Sequence, residues 1–257
     1  MSQTIAFIGS GEIGSTLARL SVAAGLNVVM SNSRGPETLA DLVGELGDRA
    51  SAATATDAAR AGDLVVVSVP FHLGDQLSAD ALAAQIVIDT MNYYPSRDRR
   101  VEELDRDKLT SSELIQRHLG DSAVVKALHN LDYVRLFTAA RPPGSPERST
   151  LPVSGDDPCA KAEAIRYLDA IGYNALDIGT LADSWRQEPG TPSYVKPYVA
   201  GYSDGLNDRE AQRWFREAPD TPVSTNKLRE LIAGAVRGPA GGIPIPGYAR
   251  GLRPDRR

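Results

Sequence analysis

The feature that most constrains the fold is a glycine motif between two predicted strands at the start of the chain. Residues 5–8 predict a short buried strand, and residues 9–14 then read G-x-G-x-x-G. Apolar residues recur at helical spacing through 13–24, and Gly25 is placed to end that helix. A second β-rich run follows at 26–30. The pattern predicts a β-α-β unit with a tight, glycine-lined turn between its first strand and its helix.

Each glycine of the motif has its own physical role. Gly9 permits a tight turn, Gly11 lets the backbone approach a pyrophosphate, and Gly14 lets the helix pack close to the strand. The helix N-terminus also offers unpaired N–H groups and a positive dipole end. These features predict a dinucleotide site. Its predicted phosphate-binding residues are Gly9, Ser10, Gly11, Glu12, Ile13 and Gly14.

The residues after the second predicted strand bear on which nicotinamide coenzyme binds. NAD enzymes usually place Asp or Glu there, about 20 residues after the glycines, to bind the ribose hydroxyls. This chain has Ser31, Asn32, Ser33 and Arg34, with no acid among them. A carboxylate would repel a 2′-phosphate, whereas arginine suits it by charge and by its forked donors. We therefore predict NADP(H), with Asn32, Ser33 and Arg34 contacting it.

Further apolar runs at 64–69 and 86–88 predict parallel strands that are buried on both faces. Ligands of a doubly wound sheet lie beyond the carboxyl ends of its strands. The residues at these ends that we expect to border the nicotinamide are Val69, Pro70, Met91 and Asn92. For Pro70 and Asn92, ordinary turn chemistry explains the residue type equally well.

The rest of the chain continues the alternation of strands and helices. A further strand is predicted at 123–128, with His129 just past its end, and two more are predicted at 150–154 and 174–178. A helix at about 158–171 joins the last two. The predicted fold class is α/β, a Rossmann-type, doubly wound and mostly parallel sheet with a smaller C-terminal helical part.

We predict two domains. Residues 1–140 form an NADP-binding Rossmann domain. Residues 141–257 form a smaller domain that adds a sheet extension, helices and a Gly/Pro/Arg-rich tail, and that completes the cleft for the second substrate. The tail, 238–257, has three interpretations: a lid, an arm exchanged across a dimer, or a disordered end.

Composition excludes several classes of protein. Lys and Arg total 28 against 33 Asp and Glu, so the net charge is −5, and sequence-independent nucleic-acid binding is not expected. Cys159 is the only cysteine, which excludes an internal disulfide and favours a reducing, cytoplasmic location. No uncharged apolar stretch approaches the ~18 residues of a membrane helix, and the N-terminus does not have the pattern of a signal peptide.

Several catalytic arrangements are also excluded. Residues 201–205 match the hydrolase motif G-x-S-x-G, but all three histidines precede Ser203, and a hydrolase triad needs its histidine after the serine. The histidines and the cysteine lack metal-ligand spacing, so no metal site is predicted. Lys126 and Asn130 have the K-x-x-x-N spacing of hydroxyacid dehydrogenases. Because Lys126 falls in a predicted strand, the two would lie ~13 Å apart.

The order and spacing of five segments resemble one known family. They are I-G-S-G-E-I-G at 8–14, N-S-R-G-P-E at 32–37, V-V-K-A-L-H at 124–129, L-P-V-S-G-D-D at 151–157 and D-I-G-T-L-A-D-S-W-R at 177–186. The chain resembles the F420H2:NADP oxidoreductases and the wider group of bacterial dinucleotide-binding reductases. The resemblance covers roughly residues 4 to 195.

This resemblance implies hydride transfer between NADP(H) and the deazaflavin coenzyme F420, and it implies a homodimer. By similarity, Ser10, Ser33 and Arg34 fall on positions that contact NADP. The residues that match the deazaflavin pocket, and that we take as candidate catalytic residues, are His129, Ser184 and Arg186. The chain departs from the archaeal members, which end not far beyond the position of Arg186.

Two other functions remain open. A reductase of a small imine or carbonyl needs a proton as well as a hydride, and its proton donor would be Tyr94, His129 or Tyr194. Hydride exchange between two cofactors needs mainly that their rings be stacked and aligned. A third hypothesis is a non-enzymatic NADP(H)-sensing protein whose tail reports the state of the cofactor.

Overall fold

In the computed structural model, which describes residues 3–201 and 207–241, the described strands form one eight-stranded sheet. Its strands are β1 (Thr4–Ile8), β2 (Asn27–Ser31), β3 (Ala50–Ala52), β4 (Leu64–Val67), β5 (Ile86–Asp89), β6 (Ala123–Lys126), β7 (Thr150–Gly155) and β8 (Asn174–Asp177). They lie in the order β3-β2-β1-β4-β5-β6-β7-β8. Strands β1 to β6 are parallel, β7 is antiparallel to β6, and β8 is parallel to β7.

The strand order reverses direction at β1. Ile8 pairs with Ser31 of β2 on one side and with Val67 of β4 on the other. The connections that leave the carboxyl ends of β1 and β4 therefore run to opposite sides, and a crevice opens between them. This topology confirms the predicted Rossmann-type, doubly wound and mostly parallel sheet.

Helices cover both faces of this sheet. They are α1 (Glu12–Ala23), α2 (Ala40–Leu46), α3 (Ala55–Ala61), α4 (Ala79–Leu82), α5 (Pro95–Asp98), α6 (Glu102–Asp105), α7 (Ser111–Leu119), α8 (Tyr133–Thr138), α9 (Pro158–Ala170), α10 (Asp208–Glu217) and α11 (Thr225–Ala233). Four 3-10 segments, Pro36–Leu39, Phe71–Gln76, Leu181–Gln187 and Lys196–Tyr198, complete the secondary structure of the described residues. Within these residues, none of the helices is long and apolar enough to cross a membrane.

Burial on both faces explains why the central strands are continuously apolar. In β4, Leu64 and Val66 belong to a core beneath α1 and α9, whereas Val65 and Val67 belong to the core on the opposite face. Successive side chains of a strand point to opposite faces, so a strand covered on both sides needs apolar residues at every position.

The sheet continues across the predicted domain boundary after residue 140. Lys126 of β6 pairs with Ser154 of β7, and Leu151 and Val153 of β7 share a core with Leu17 of α1. Strand β7, helix α9 and strand β8 form as expected from the sequence. The division into two domains remains a prediction, and the two predicted parts share one sheet and one core.

A buried arginine holds α10 against this core. The Arg135 guanidinium lies 3.3 Å from the Asp132 carboxylate. It also donates to carbonyl oxygens at the end of α10, those of Trp214 at 3.3 Å and Ala218 at 2.7 Å. A cation at a helix C-terminus satisfies carbonyls that have no partner within the helix. The contact explains how Arg135 is accommodated at 0% exposure.

The chain after α11 packs against the residues that lie between β5 and α7. The guanidinium of Arg237 donates to the Leu109 carbonyl at 2.9 Å and lies 3.4 Å from the Asp107 carboxylate. Gly241 has φ +82°, and a Cβ placed there would lie 2.4 Å from Pro95. The first residues of the predicted tail therefore pack against the fold, while 242–257 and most of the G-x-S-x-G motif lie outside the described residues.

Candidate nucleotide site and second-substrate region

A cleft of about 450 Å³ lies at the carboxyl ends of β1, β2 and β4, where the strand order reverses. Its walls include eight of the thirteen residues that the sequence predicts for cofactor binding, namely Gly9, Ser10, Gly11, Asn32, Ser33, Arg34, Val69 and Pro70. The position agrees with the rule that ligands bind where a doubly wound sheet changes direction.

The three motif glycines have the distinct roles that their positions require. Gly9 has φ +111°, and a Cβ there would lie 2.1 Å from the Ser68 carbonyl oxygen. A Cβ on Gly14 would lie 2.2 Å from the Gly9 carbonyl oxygen. Gly11 differs, because a Cβ there would meet no atom within 4 Å. Gly9 and Gly14 thus keep the turn tight, and Gly11 leaves open the space through which a phosphate would approach.

The N-terminus of α1 points its backbone at this space. Gly11 is the N-cap, and no side chain caps the helix. The motif residues Glu12, Ile13 and Gly14 do not line the cleft, so any contact they make with a phosphate uses backbone N–H groups. Ser15 donates its hydroxyl to the Ser10 carbonyl at 3.0 Å, which fixes the turn.

The end of β2 presents a preformed polar turn. The Asn32 carboxamide accepts from the Arg34 N–H at 2.9 Å and donates to the Thr38 hydroxyl at 2.9 Å. Ser33 and Arg34 are exposed at the cleft, and no carboxylate among the described residues forms an ion pair with Arg34. Ser31, the first residue of this polar run, does not face the cleft, because its hydroxyl is buried and donates to the Phe7 carbonyl at 2.7 Å.

Met91 and Asn92 lie next to the cleft without lining it. The Met91 side chain is buried in the core, and its carbonyl accepts from the Lys126 ammonium. The Asn92 carboxamide donates to the His129 carbonyl at 3.2 Å and to the Tyr194 hydroxyl at 3.4 Å. The structure therefore places these two residues between the nucleotide cleft and the region predicted for the second substrate.

Lys126 lies on β6, as the sequence predicts, and its ammonium is fully buried. It lies 3.3 Å from the Asp89 carboxylate of the neighbouring strand. Asp89 also accepts from the Ser112 hydroxyl at 2.6 Å and from the Met91 N–H at 2.8 Å. These contacts account for both charges, so Lys126 has a positioning role and is not presented to a substrate.

His129 is buried at the end of this strand, at 2% exposure. Its Nε2 donates to the Gln187 carbonyl at 2.9 Å. Burial, together with the nearby charge of Lys126, lowers the pKa of His129 well below its ordinary value. The imidazole is therefore neutral, with the Nε2 proton fixed by the Gln187 carbonyl.

The residues after the 177–186 segment are hydrogen-bonded to Asn130, just past the end of β6. Asn130 donates to the Ser193 carbonyl at 3.2 Å and accepts from the Val195 N–H at 2.8 Å, which holds this stretch over the end of β6. Ser184 is fully buried. The Arg186 guanidinium stacks on the Trp185 ring at 4.4 Å. His129, Ser184 and Arg186 therefore belong to one region, but none of them lines the nucleotide cleft.

Two tyrosines proposed as proton donors form a pair. The hydroxyls of Tyr94 and Tyr194 are hydrogen-bonded to each other, and Tyr194 also contacts Asn92. Burial raises the pKa of Tyr94 to about 12, and the Arg97 guanidinium lies 5.0 Å from the centre of its ring. The pair therefore links the loop after β5, which carries Tyr94, to the segment that carries Ser193, Tyr194 and Val195.

Sequence reasoning missed the importance of Gln187. Its carbonyl accepts from both His129 and Asn130, at 2.9 and 3.1 Å, and its amide donates to the Ser154 hydroxyl at 2.6 Å. Nothing in the composition or spacing marks Gln187. Only its place directly after the 177–186 segment could have pointed to it. Within the described part of the chain, no three potential ligands are grouped so that they could hold a metal ion.

The fold and the cleft define a Rossmann-type dinucleotide-binding protein. Residues 4–93 match the family described as NADP oxidoreductase, coenzyme F420-dependent. This match confirms the resemblance drawn from the sequence, and it extends from the first strand to the residues after β5.

Three individual proteins are similar to this chain. Protein YjhV of Escherichia coli strain K12 is 40% identical over 59 residues, which are 23% of this chain and 43% of that protein, so the match spans less than half of this curated relative. The crystal structure of protein SMa0349 from Sinorhizobium meliloti has a TM-score of 0.65 at 28% identity over 76% of this chain and 93% of that one. The crystal structure of a proposed F420-dependent NADP-reductase from Arthrobacter sp. FB24 has a TM-score of 0.60 at 25% identity. The match covers 71% of this chain and 87% of that one. The family match and the similarity to the Arthrobacter protein support an NAD(P)-dependent oxidoreductase at a coarse level.

The glycine motif makes a matched pair of predictions. We expect Gly11→Ala to leave the melting temperature nearly unchanged and to weaken NADPH binding at least tenfold, because its Cβ enters only the phosphate space. Gly14→Ala should instead lower the free energy of unfolding by about 1–3 kcal/mol through a backbone clash. Calorimetric titration and chemical denaturation measure the two effects. Equal loss of stability in both variants would contradict the distinction.

A second prediction concerns the pH dependence of stability. The unfolded state binds a proton on His129 near pH 6.5, whereas the folded state resists protonation because its pKa is lowered. Stability is therefore retained above about pH 6.5 and falls below it, by up to ~1.4 kcal/mol per pH unit from this group. Urea denaturation between pH 7 and 5 should show a shallower decline in His129→Gln, which keeps a donor for Gln187. The exposed His118→Gln serves as the control, and an unchanged slope in His129→Gln would refute the assignment.

Proposed function

We propose that the protein is an NADP(H)-dependent oxidoreductase that exchanges a hydride with the deazaflavin coenzyme F420. The observation that carries the cofactor assignment is the cleft at the switch point. It combines the open approach at Gly11, the uncapped N-terminus of α1, and the exposed Arg34 at the end of β2. The family match over residues 4–93 supports F420 as the second partner.

The residues present fit NADP(H). The N-terminus of α1 would hold the pyrophosphate through backbone N–H groups. Ser33 and Arg34 would hold the 2′-phosphate, and the Asn32 contact with the Arg34 N–H fixes this turn in advance. Val69 and Pro70 line the same cleft and would border the nicotinamide. When bound, NADPH supplies a hydride, and the protein contributes binding, alignment and exclusion of water.

The second substrate would meet the nicotinamide near the residues after β5 and β6. Strand β5 lies between β4 and β6, so Asn92, after β5, lies between Val69, after β4, and His129, after β6. The Asn92 carboxamide donates to the His129 carbonyl and to the Tyr194 hydroxyl. By family resemblance, His129, Ser184 and Arg186 would serve the deazaflavin. We also propose, from the same resemblance, a cytoplasmic homodimer with the two-domain division after residue 140.

A specific observation favours a second candidate, an NADPH-dependent reductase of a small imine or carbonyl. His129 and Ser184 are 2% and 0% exposed, which leaves them little access to a large planar coenzyme. The hydrogen-bonded hydroxyls of Tyr94 and Tyr194 lie beside Asn92 and supply the kind of proton donor that such a reduction needs.

The cofactor assignment is tested by one substitution. Arg34→Ala should weaken NADPH binding about 10- to 100-fold, because it removes charge-assisted hydrogen bonds to the 2′-phosphate. NADH binding should change less than about twofold, since NADH lacks that phosphate. Fluorescence titration with both nucleotides gives the ratio. Arg49→Ala, an exposed arginine outside the cleft, should leave both affinities unchanged. Equal weakening of both nucleotides in Arg34→Ala would overturn the NADP assignment.

The second substrate is tested by mixing the protein with NADPH and oxidised F420 and following the visible absorbance of F420. Rapid bleaching supports exchange between the two cofactors. We expect that rate to be nearly insensitive to Tyr194→Phe, because the hydride passes directly between the two rings and the proton that balances the reduction can come from solvent. No bleaching, together with turnover of a small imine or carbonyl that loses one limb of its pH–rate profile in Tyr194→Phe, would establish the second candidate. NADPH binding without any turnover would favour a sensor.

A further inference from the structure

A second cavity, of about 830 Å³, lies beside the nucleotide cleft. Its walls come from the 3-10 segment Phe71–Gln76, from the loop around α5 (Pro95–Asp98) and from α7 (Ser111–Leu119). Gln76 lines both cavities, so the segment Phe71–Gln76 separates them. The first two wall segments follow β4 and β5, at the sheet edge where doubly wound folds bind ligands. The volume is in the range of small-molecule sites.

The walls of this cavity are basic in a protein whose net charge is −5. Its lining arginines are Arg97, Arg99, Arg100 and Arg117, and its lining carboxylates are Asp75 and Asp98. Three of the arginines have acidic partners. Arg97 pairs with Asp98 at 2.7 Å, Arg117 with Glu103 at 2.7 Å, and Arg100 with Asp105 at 3.7 Å. The remaining lining arginine is Arg99.

Arg99 has no ion pair or side-chain hydrogen bond among the described residues, and its backbone is strained. Its φ and ψ are +66° and 166°, a region that is essentially restricted to glycine. An arginine held there costs conformational energy that glycine would avoid. Such strain is found at binding and catalytic sites more often than elsewhere. Arg99 therefore lies on the wall of this cavity as an exposed arginine that has no carboxylate partner among the described residues and that adopts a glycine-like backbone conformation.

Asp98 does not oppose an incoming anion, because other groups already satisfy its carboxylate. It is 3% exposed, and it accepts from Arg97, from the Tyr94 N–H at 2.9 Å and from His72 Nδ1 at 2.9 Å. Although burial opposes ionisation, the hydrogen bonds from Arg97 and His72 hold the pKa of Asp98 below its usual value. The remaining lining carboxylate, Asp75, lies at an exposed position.

Apolar side chains form the rest of the wall. Phe71 and Ile115 are nearly buried, at 5% and 3% exposure, and Leu114 and Val101 lie beside them. A simple inorganic anion would leave this apolar surface without a contact. A ligand with both an anionic group and an apolar or aromatic group would use both kinds of wall.

We propose that this cavity binds a small organic anion, a carboxylate or phosphate joined to an apolar or aromatic group, with Arg99 as its principal charged contact. The site is separate from the nucleotide cleft, and the proposal does not depend on the proposed function.

The test is calorimetric titration of the full chain with phenyl phosphate and, separately, with inorganic phosphate. We expect phenyl phosphate to bind more tightly, because inorganic phosphate lacks the apolar group. Arg99→Gly should weaken phenyl phosphate about tenfold through loss of a charge-assisted hydrogen bond. The same substitution should keep or raise the melting temperature, since glycine relieves the backbone strain, so lost binding cannot be ascribed to unfolding.

Three controls make the result specific. Leu114→Ala should weaken phenyl phosphate and leave inorganic phosphate unchanged. Arg60→Gln removes an exposed arginine outside the cavity and should change neither affinity. Arg34→Ala, in the nucleotide cleft, should also retain phenyl phosphate binding. The proposal is overturned if Arg99→Gly binds phenyl phosphate like the parent protein, if Arg34→Ala abolishes that binding, or if both phosphates bind equally well.

Discussion

The carboxyl ends of β5 and β6 meet at a charge pair that has no contact with solvent, and the site depends on it. The Lys126 ammonium and the Asp89 carboxylate lie 3.3 Å apart at 0% exposure. Two such charges are costly to remove from water, and they are tolerated only when further hydrogen bonds satisfy them. Asp89 obtains these from Ser112 and the Met91 N–H, and Lys126 obtains one from the Met91 carbonyl. The pair therefore fixes the backbone that leads to Asn92, between the two halves of the site.

Burial and the charge of Lys126 together keep His129 neutral. The imidazole is buried just beyond the end of β6, where desolvation is the larger cause of its lowered pKa and the positive charge of Lys126 adds to it. A neutral histidine can donate from Nε2 to the Gln187 carbonyl without adding an uncompensated charge to the interior. The electrostatics of β6 thus favour the packing of residues 187–195 over its end.

The two cavities differ in how much of their chemistry is visible in local sequence. The nucleotide cleft is built mainly from backbone geometry at Gly9, Gly11 and Gly14, and these requirements act over a few neighbouring residues. They are readable because a Cβ would clash at Gly9 and Gly14, while the small residue at Gly11 leaves the phosphate space open. The basic cavity is assembled from three segments that are distant in the chain. The sequence shows a charge run at 97–100 that a solvated loop explains adequately, and only the positive φ of Arg99 and the burial of Asp98 distinguish it.

Several elements and their order follow from the sequence alone. Strands β1, β4 and β5, the helix after the glycine motif and the polar end of β2 all follow from periodicity, burial on both faces and turn chemistry, which are local properties. The tertiary structure decided which of these residues meet. Met91 lies in the core with its carbonyl accepting from Lys126, and Ser31 donates to the Phe7 carbonyl instead of facing the cleft. Arg135 caps α10 across the core, and Tyr94 meets Tyr194, 100 residues later. Such contacts depend on burial and charge compensation between distant segments, and no spacing within the chain encodes them.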